Sequence, residues 1–411
     1  MNMASDPRVQ PAPRPPAKPA LIANDAEALA AARQLAADFA RNASARDAGR
    51  LLPWSELERY SASGIWGATV PRAFGGAEIS TVTLARVIAT VAAADGSLAQ
   101  IPQNHFYALE VLRVGGSEEQ KRFFFGRVLA GDRLGNALAE IGKRDFKRRT
   151  RLVRDPAGWY VEGEKFYCTG AIYAHWIPTL VVAEEAGDEV SYLAFVPRDA
   201  EGVTVIDDWD GFGQRVTGSG SVRFARVGVE PEWIVPFKAS FDSPTTIGPH
   251  AQIMHAAIDL GLGLGAFEET LRFVRERSRP WMDSGVEQAS DDPLTLHQVG
   301  HVRVRLRAAE VMVERAAAQV DAAQRAPDED SVAQASVAVA KARILTTRAG
   351  LLAAGKLFEL SGTSSTQSED NLDRYWRNVR THTLHDPVRW KYQAVGNFHL
   401  NGRRPPRHGA I

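Results

Sequence analysis

A single cysteine, Cys168, stands among 411 residues, and Lys plus Arg balance Asp plus Glu at 49 each. One cysteine excludes an internal disulfide, a Cys-rich zinc site and a Cys-ligated iron–sulfur cluster. A net charge of zero argues against general polyanion binding, which draws on surplus cationic side chains, so no nucleic-acid partner is expected. No apolar run approaches the ~20 residues needed to span a bilayer, so no membrane partner is expected either. The opening MNMASDPRVQPAPRPPAKPA has no hydrophobic stretch of the secretory kind, which leaves a cytoplasmic location as the expectation. What is present is 45% hydrophobic and 24% charged residues, the balance of a soluble globular chain long enough for two or three packed units.

The hydrophobic period divides the chain into helical, β and helical stretches. Six prolines fall within residues 1–22, which read as a disordered or extended tail. From Asn24 the period is helical, with Asp25 as a cap and Ala28, Leu29, Ala32, Leu35 and Phe39 on one face. SELERYSASG, the Ala-rich TVTLARVIATVAAADGSLAQ, expected to run uninterrupted and buried on most sides, and residues 118–130 continue the helical region. Near Asn136 the period becomes two. RLVRDPAGWYVEGEKFY folds back at Asp155-Pro156-Ala157-Gly158, and TLVVAEE, SYLAFVP, GVTVID and SVRFARVGV follow as short strands. Strands this short with no helices between them point to a small barrel or sandwich. Helical period returns at about residue 249, with long helices over residues 302–320 and 331–360 ended by Gly362. The chain therefore reads as α+β, mostly α. Its expected divisions are a tail at 1–23, a helical domain at 24–134, a β domain at 135–240, a helical bundle at 241–400 and a C-terminal tail at 401–411.

Several motifs carry little by themselves. Gly261-Leu-Gly263-Leu-Gly265-Ala266 matches the dinucleotide fingerprint, but HAAIDL before it is helical and no βαβ unit surrounds it. Small residues on a tightly packed helix face are the better reading. His297 and His301 share a helix face, yet no Glu or third ligand accompanies them, and no metal site is expected. Cys168 reads as a buried, inert thiol. The run Lys143-Arg144-Asp145-Phe146-Lys147-Arg148-Arg149 with Arg151 is either a solvated loop or a cover over an anionic ligand.

Three segments become informative together: Gly163-Glu-Lys165-Phe-Tyr167-Cys-Thr169-Gly170; Gly211-Phe-Gly213-Gln-Arg215-Val-Thr217-Gly-Ser219-Gly220; and the run from Asp373 through Trp376, Arg377, Asn378, His382 and His385 to Asp386-Pro387. In this order they resemble the acyl-CoA dehydrogenase superfamily over roughly residues 25–400. The resemblance implies a helical N-terminal domain, a small β domain and a C-terminal four-helix bundle. Dehydrogenases of that superfamily commonly carry Tyr-Glu-Gly at the catalytic position, where this chain has His385-Asp386-Pro387. The T-H-x-L-H-D-P run is instead similar to the flavin-dependent monooxygenase branch typified by dibenzothiophene monooxygenase. IPQNHFY, HWIP, DDWDGFGQR and THTLHDPVRWKY are similar to the sulfur-acquisition oxidoreductases linked with dimethyl sulfone use.

The resemblance implies the oxygenase of a two-component system. Reduced FMN from a separate NAD(P)H-dependent flavin reductase would meet O2, and a C4a-hydroperoxide would oxidise a small organosulfur compound. A histidine suits such a site because its ordinary pKa of about 6.5 lets it give or take a proton near neutrality. The implied catalytic residues are His385 as principal acid/base, His382 positioning it or sharing its role, His105 near the substrate, Thr169 with its hydroxyl at the flavin N5, and Asn136. Cofactor contacts are implied for Thr169, Tyr167, Asn136, Trp209 and Arg279, and for Ser364, which stands where dibenzothiophene monooxygenase has an Arg. Ile101, Phe106, Tyr107 and His175 are expected around the substrate. A homotetramer is implied by the resemblance alone. The alternatives are an FAD-dependent acyl-CoA dehydrogenase and a flavin-binding protein without turnover.

Overall fold

Helix begins where the sequence turns from proline to alanine. A computed structural model describes residues 7–14, 16–141 and 147–411. Asn24, rather than Asp25, caps α1 (Asp25–Ala40) by accepting the Glu27 N–H. The Asp25 carboxylate instead accepts from the hydroxyls of Ser80 and Thr83 at the start of α4 (Thr81–Ala94). The helices α2 (Ala43–Ala48), α3 (Trp54–Ala62), α6 (Gln103–Gly115) and α7 (Glu118–Leu129) complete the first region. Ser117 and Gln120 form a reciprocal capping box that fixes the start of α7. The Ala-rich stretch expected to run unbroken is interrupted at Asp95. There the carboxylate accepts the Ser97 and Leu98 N–H groups and starts a separate helix, α5 (Gly96–Gln100).

The strands are β1 (Arg151–Asp155), β2 (Gly158–Lys165), β3 (Trp176–Glu185), β4 (Asp188–Pro197), β5 (Val203–Ile206), β6 (Ser221–Val229) and β7 (Ile234–Pro236). They form one seven-stranded sheet in the order β5-β6-β2-β1-β3-β4-β7, where sequence reading expected a small barrel or sandwich. Among these seven strands the β1–β3 pairing is parallel and the others are antiparallel. The sheet bends over itself, because β4 approaches β6 although three strands separate them. Asp155 pairs with Gly158 across the expected hairpin.

The Pro-rich N-terminal stretch, read from its composition as a disordered or extended tail, takes the extended form where it meets β5. Val9 bridges Ile206, the Gln10 N–H donates to the Val205 carbonyl at 3.0 Å, and the Arg8 carbonyl accepts from Asp207 at 2.8 Å. The open edge of β5 supplies unpaired backbone groups, and an extended segment satisfies them even when proline fills alternate positions.

The C-terminal region packs α8 (Ile247–Glu276), α9 (Pro293–Arg325), α10 (Glu329–Ser361) and α12 (Val388–Asn401), with α11 (Asp373–His382) set against α8 and α10. Among the described residues no helix is long and apolar enough to cross a membrane. The glycine run of α8 serves helix packing, because α4 lies directly on it. A Cβ at Gly265 would stand 2.3 Å from the Ala93 carbonyl oxygen. Gly265→Leu is therefore expected to destabilise the protein by about 1–3 kcal/mol. Gly355→Ala, at an exposed helix position with nothing within 4 Å of the added carbon, is expected to stabilise by about 0.5–1 kcal/mol. Urea unfolding midpoints of the two variants against the parent check both signs.

The N-terminal half of the sheet is tied by a buried ion pair. Lys165 at the end of β2 has no exposed surface, and its ammonium lies 2.6 Å from Glu140. Burial pushes the Glu140 carboxyl up, but the hydrogen bond from Lys165 and the Arg149 and Thr150 N–H groups outweigh it and bring it to about 2. A carboxyl lowered on folding contributes stability that is full above its unfolded value of about 4.5 and lost as pH falls toward 2. Glu140→Gln is expected to shrink the loss of stability across that window. Parallel urea titrations from pH 5 to pH 2.5 test this, and identical slopes for the two proteins would refute it.

Candidate active site

Five side chains from two helices and one connection meet beside the N-terminal half of α8. One helical turn separates His255 from Asp259, which puts both on the same face. α11 ends on His382, and the connection to α12 carries His385 and Asp386. Asp259 Oδ1 lies 2.5 Å from His382 Nδ1, while Oδ2 accepts from Arg343 Nη1 at 2.7 Å and from the Thr347 hydroxyl at 2.8 Å. His382 Nε2 is 3.1 Å from His255 Nδ1. The His255 ring then stacks on His385 with centroids 4.0 Å apart. His385 Nδ1 is 3.2 Å from Asp386 Oδ2, which also accepts from Gln252 Nε2 at 2.9 Å.

Burial grades these groups. His255 and His382 are almost wholly inaccessible, whereas the His385 side chain is 45% exposed, so His385 is the imidazole that an incoming molecule meets. Burial is the largest influence on His255 and pushes its basicity well down, with the neighbouring His385 and His382 adding to the effect. Burial also lowers His382, against the opposing pull of Asp259. For Asp259, burial pushes upward but Arg343 and His382 prevail, and the carboxyl sits below its ordinary range. Asp386 behaves likewise, with the His385 hydrogen bond and the charges of His385 and Lys391 overcoming burial. Lys391, buried beside Asp386, is pushed down to about 8. The C-terminal residues close this end: the Gly409 carbonyl accepts from Gln252 at 2.9 Å, and the Ala410 carbonyl accepts from Lys391.

A second group lies where β2 ends. Tyr167 adopts φ 54°, which turns the chain so that its ring is 54% exposed and Cys168 is buried. The Cys168 thiol is pushed up by burial, in keeping with an inert side chain. The Thr169 hydroxyl is 2.8 Å from that of Ser219, which is 2.7 Å from that of Thr217. Asn136 donates to the Tyr167 carbonyl at 3.3 Å and accepts from the Leu138 N–H at 3.1 Å. Trp209 meets Tyr167 edge-on at 6.2 Å and donates to the Gln214 carbonyl.

The loop over residues 211–220 joins the two groups. The Gln214 N–H donates to Asn378 of α11 at 2.6 Å, and its side chain reaches the Gly96 carbonyl. Gly213 touches α11 so closely that a Cβ there would stand 2.1 Å from the Arg377 carbonyl and 2.5 Å from the Thr381 hydroxyl. Thr381 precedes His382. The loop thus carries Ser219, bonded to Thr169, on one side and abuts the histidine helix on the other.

Other sequence candidates sit elsewhere. His105 has both ring nitrogens engaged by backbone, donating to the Trp66 carbonyl at 2.8 Å and accepting from the Leu134 N–H at 3.0 Å. Burial brings it to about 3, so it is a neutral support for these two segments. His175 likewise accepts from the Arg133 N–H and donates to the Arg14 carbonyl. Arg279 and Ser364 are exposed beyond the C-terminal ends of α8 and α10. At a rise of about 1.5 Å per residue, the far end of α8 is about 30 Å from His255, so neither reaches the histidines of its own chain. Arg279 makes no hydrogen bond or ion pair among the described residues, while its neighbour Arg277 holds Asp370 at 2.6 Å. The centre of the basic run, residues 142–146, lies outside the described residues; of the rest, Arg148 donates to Ser191 and Arg151 pairs with Glu189.

Sequence reading missed His255, Asp259 and Arg343. HAAIDL does hold the His-x-x-x-Asp spacing, but that spacing is common on helices. Among the described residues, His255, His385 and Asp386 are the group whose potential ligand atoms lie within 4.8 Å of one another.

Comparison with known proteins agrees with this architecture. Residues 24–132 match the acyl-CoA dehydrogenase N-terminal domain and residues 253–390 its C-terminal domain. A probable FMNH2-dependent monooxygenase, SfnC of Pseudomonas putida, is 33% identical over 92% of this chain and 96% of its own length. The FMN-bound structure of TdsC from Paenibacillus, a dibenzothiophene monooxygenase, superposes with TM-score 0.89 at 30% identity, covering 93% of this chain and 100% of that one. The methanesulfinate monooxygenase MsuC of Pseudomonas fluorescens gives TM-score 0.85 at 32% identity, covering 92% and 98%. With its fold, its paired histidines in place of a lone catalytic carboxylate and this degree of likeness, the chain belongs to the flavin-dependent monooxygenases of the acyl-CoA dehydrogenase family.

Proposed function

We propose that the protein is the oxygenase of a two-component system, receiving reduced FMN from a separate NAD(P)H-dependent reductase and using O2 to oxidise a small organosulfur compound at sulfur, in sulfur acquisition in the cytoplasm. The observation that carries this reading is the state of the catalytic position. Asp386 is bound by Gln252 and His385 and held ionised, so the accessible acid/base is the His385 imidazole beside it. A lone carboxylate poised to take a proton from an acyl thioester is not what this geometry offers.

The residues present fit a flavin. Thr169 and Ser219 hydroxyls, the Asn136 amide and the rings of Tyr167 and Trp209 gather around the end of β2 and the loop of residues 211–220, a polar and aromatic set suited to a planar ring bearing carbonyl and nitrogen acceptors. Bound reduced FMN supplies the electrons by which O2 is activated. Arg279, an unpaired exposed cation among the described residues, and the exposed Ser364 would meet the phosphate of a neighbouring subunit in a homotetramer. His385 moves a proton through Nε2, because Nδ1 is committed to Asp386. Of the residues expected around the substrate, Ile101 is buried close to the Gly170 turn and Tyr107 is buried close to Gly409, whose carbonyl accepts from Gln252. The small-sulfur reading is supported by MsuC, named for methanesulfinate, among the relatives at similar identity.

His385→Ala is expected to lower product formation roughly 10²–10⁴-fold, the range a general acid/base contributes, with FMN affinity nearly intact. Oxygen insertion into a panel of small sulfides, sulfoxides, sulfones and sulfinates, alongside flavin-fluorescence titration, measures the two separately. Equal loss of both would make His385 structural. Anaerobic bleaching of tightly bound FAD by an acyl-CoA would instead make the protein a dehydrogenase.

A further inference from the structure

The catalytic reading uses His385 and leaves unexplained why a second and third buried group stand in line behind it. We propose that Asp259, His382 and His255 form a proton relay inside the bundle, ending on His255 Nε2 as a second basic atom of the site. This deepens the reading that the site manages a proton and rests on it for its purpose, although not for its geometry.

The proton positions follow from the hydrogen bonds. The Asp259 carboxylate can only accept, and it already takes the Arg343 and Thr347 donors on Oδ2. His382 Nδ1, 2.5 Å from Oδ1, must therefore carry a proton. A neutral His382 then presents a lone pair at Nε2, and its partner there is His255 Nδ1 at 3.1 Å. His255 must donate through Nδ1, which leaves its Nε2 with a lone pair. Two rings are thus locked in one tautomer by a single carboxylate, which is itself locked by Arg343.

Such a line can move charge. When a proton bonds to His255 Nε2, the proton on His255 Nδ1 passes to His382 Nε2. His255 is left neutral with its tautomer exchanged, and the positive charge lies on His382 against Asp259. One proton enters and one shifts; nothing is oxidised or reduced. The charge ends one ring farther from His385, across centroids 5.2 Å apart. That matters because two cationic imidazoles stacked at 4.0 Å would repel. His255 and His385 nitrogens and an Asp386 oxygen fall within 4.8 Å of one another, a gap that one water or a substrate oxygen spans. The charged and titratable groups facing the relay are Asp259 and His255 of α8, Arg343 of α10, His382 of α11, His385 and Asp386 of the connection, and Lys391 of α12. Asp259 is a positioning residue, acting through His382.

The test begins with the full chain labelled with ¹⁵N-histidine, without flavin. NMR, with signals assigned by single histidine substitutions, is expected to show the His255 and His382 imidazoles as neutral Nδ1–H tautomers at pH 7, with strongly downfield N–H protons. One such signal should vanish in His255→Asn and both should shift in Asp259→Asn. An Nε2–H tautomer or a charged ring at either position would overturn the relay. Because Asp259→Asn removes the partner of buried Arg343 and can fail to fold, His255→Asn carries the kinetic test: its amide still donates to His382 but offers no base. Product formed per flavin oxidised is expected to fall about tenfold or more, with KM and FMN affinity unchanged and one ionisation lost from the pH–rate profile. An unchanged profile, or parallel loss of flavin binding, would overturn the proposal. If the parent protein oxidises none of the sulfur compounds, the functional reading fails while the tautomer measurement still decides the relay.

Discussion

The ion pair between Asp259 and Arg343 is the constraint on which the histidine cluster of this molecule depends. Both side chains are almost wholly removed from water, and the carboxylate has no spare oxygen. Breaking such a pair by deleting one partner commonly costs about 3–5 kcal/mol, because the other charge is left buried alone. The pair therefore fixes the spacing of α8 against α10. By fixing one carboxylate it also fixes the orientation and tautomer of His382, and through that ring the orientation of His255. Packing and proton chemistry are here the same set of contacts.

Close helix approach makes those contacts available. The small residues of α8 let α4 and α10 come within backbone distance, as at Gly265 against Ala93 and Gly263 against Gly350. A bulkier face would move the helices apart and lengthen the hydrogen bonds that hold the imidazoles. On the other side, the loop of residues 211–220 is pinned to α11 by Asn378 and by the close seat of Gly213. The sheet can thereby present Thr169, Ser219, Tyr167 and Trp209 at a defined place relative to the histidines. The structure is built from both ends toward one junction: β2 and its loop supply the flat, polar wall, and the bundle supplies the titratable groups.

Much of this was legible in the sequence. The change of period from helical to alternating and back located the β region, and the Asp155–Gly158 turn paired as its residues require. The reading of the α8 glycines as packing residues rested on the absent βαβ unit, and α4 occupies that face. Two local readings failed for identifiable reasons. Asp95 capped a new helix inside an apparently continuous one, because its carboxylate captures the Ser97 and Leu98 N–H groups and the following Gly96 is a poor helix former despite the alanines before it. For the Pro-rich stretch the disordered reading failed and the extended one held: residues 8–10 paired with β5 because an edge strand needs partners that composition does not reveal. His105 illustrates a different limit: its presence was noted, yet only the backbone groups around its two nitrogens reveal that it has none to spare.

The sequence by itself determined the order of helical and β regions, the absence of metal-binding cysteines, and the His382–His385–Asp386 run that separates this chain from a carboxylate-based dehydrogenase. These are properties of adjacent residues, and adjacency is what a sequence records. Tertiary structure alone decided that His255 and Asp259 join that run, since 127 and 123 positions separate them from His382. It also decided which imidazole faces outward and which are shielded. A histidine becomes a directed donor or acceptor only when its neighbours and its burial are set, and those come from helices packed in three dimensions.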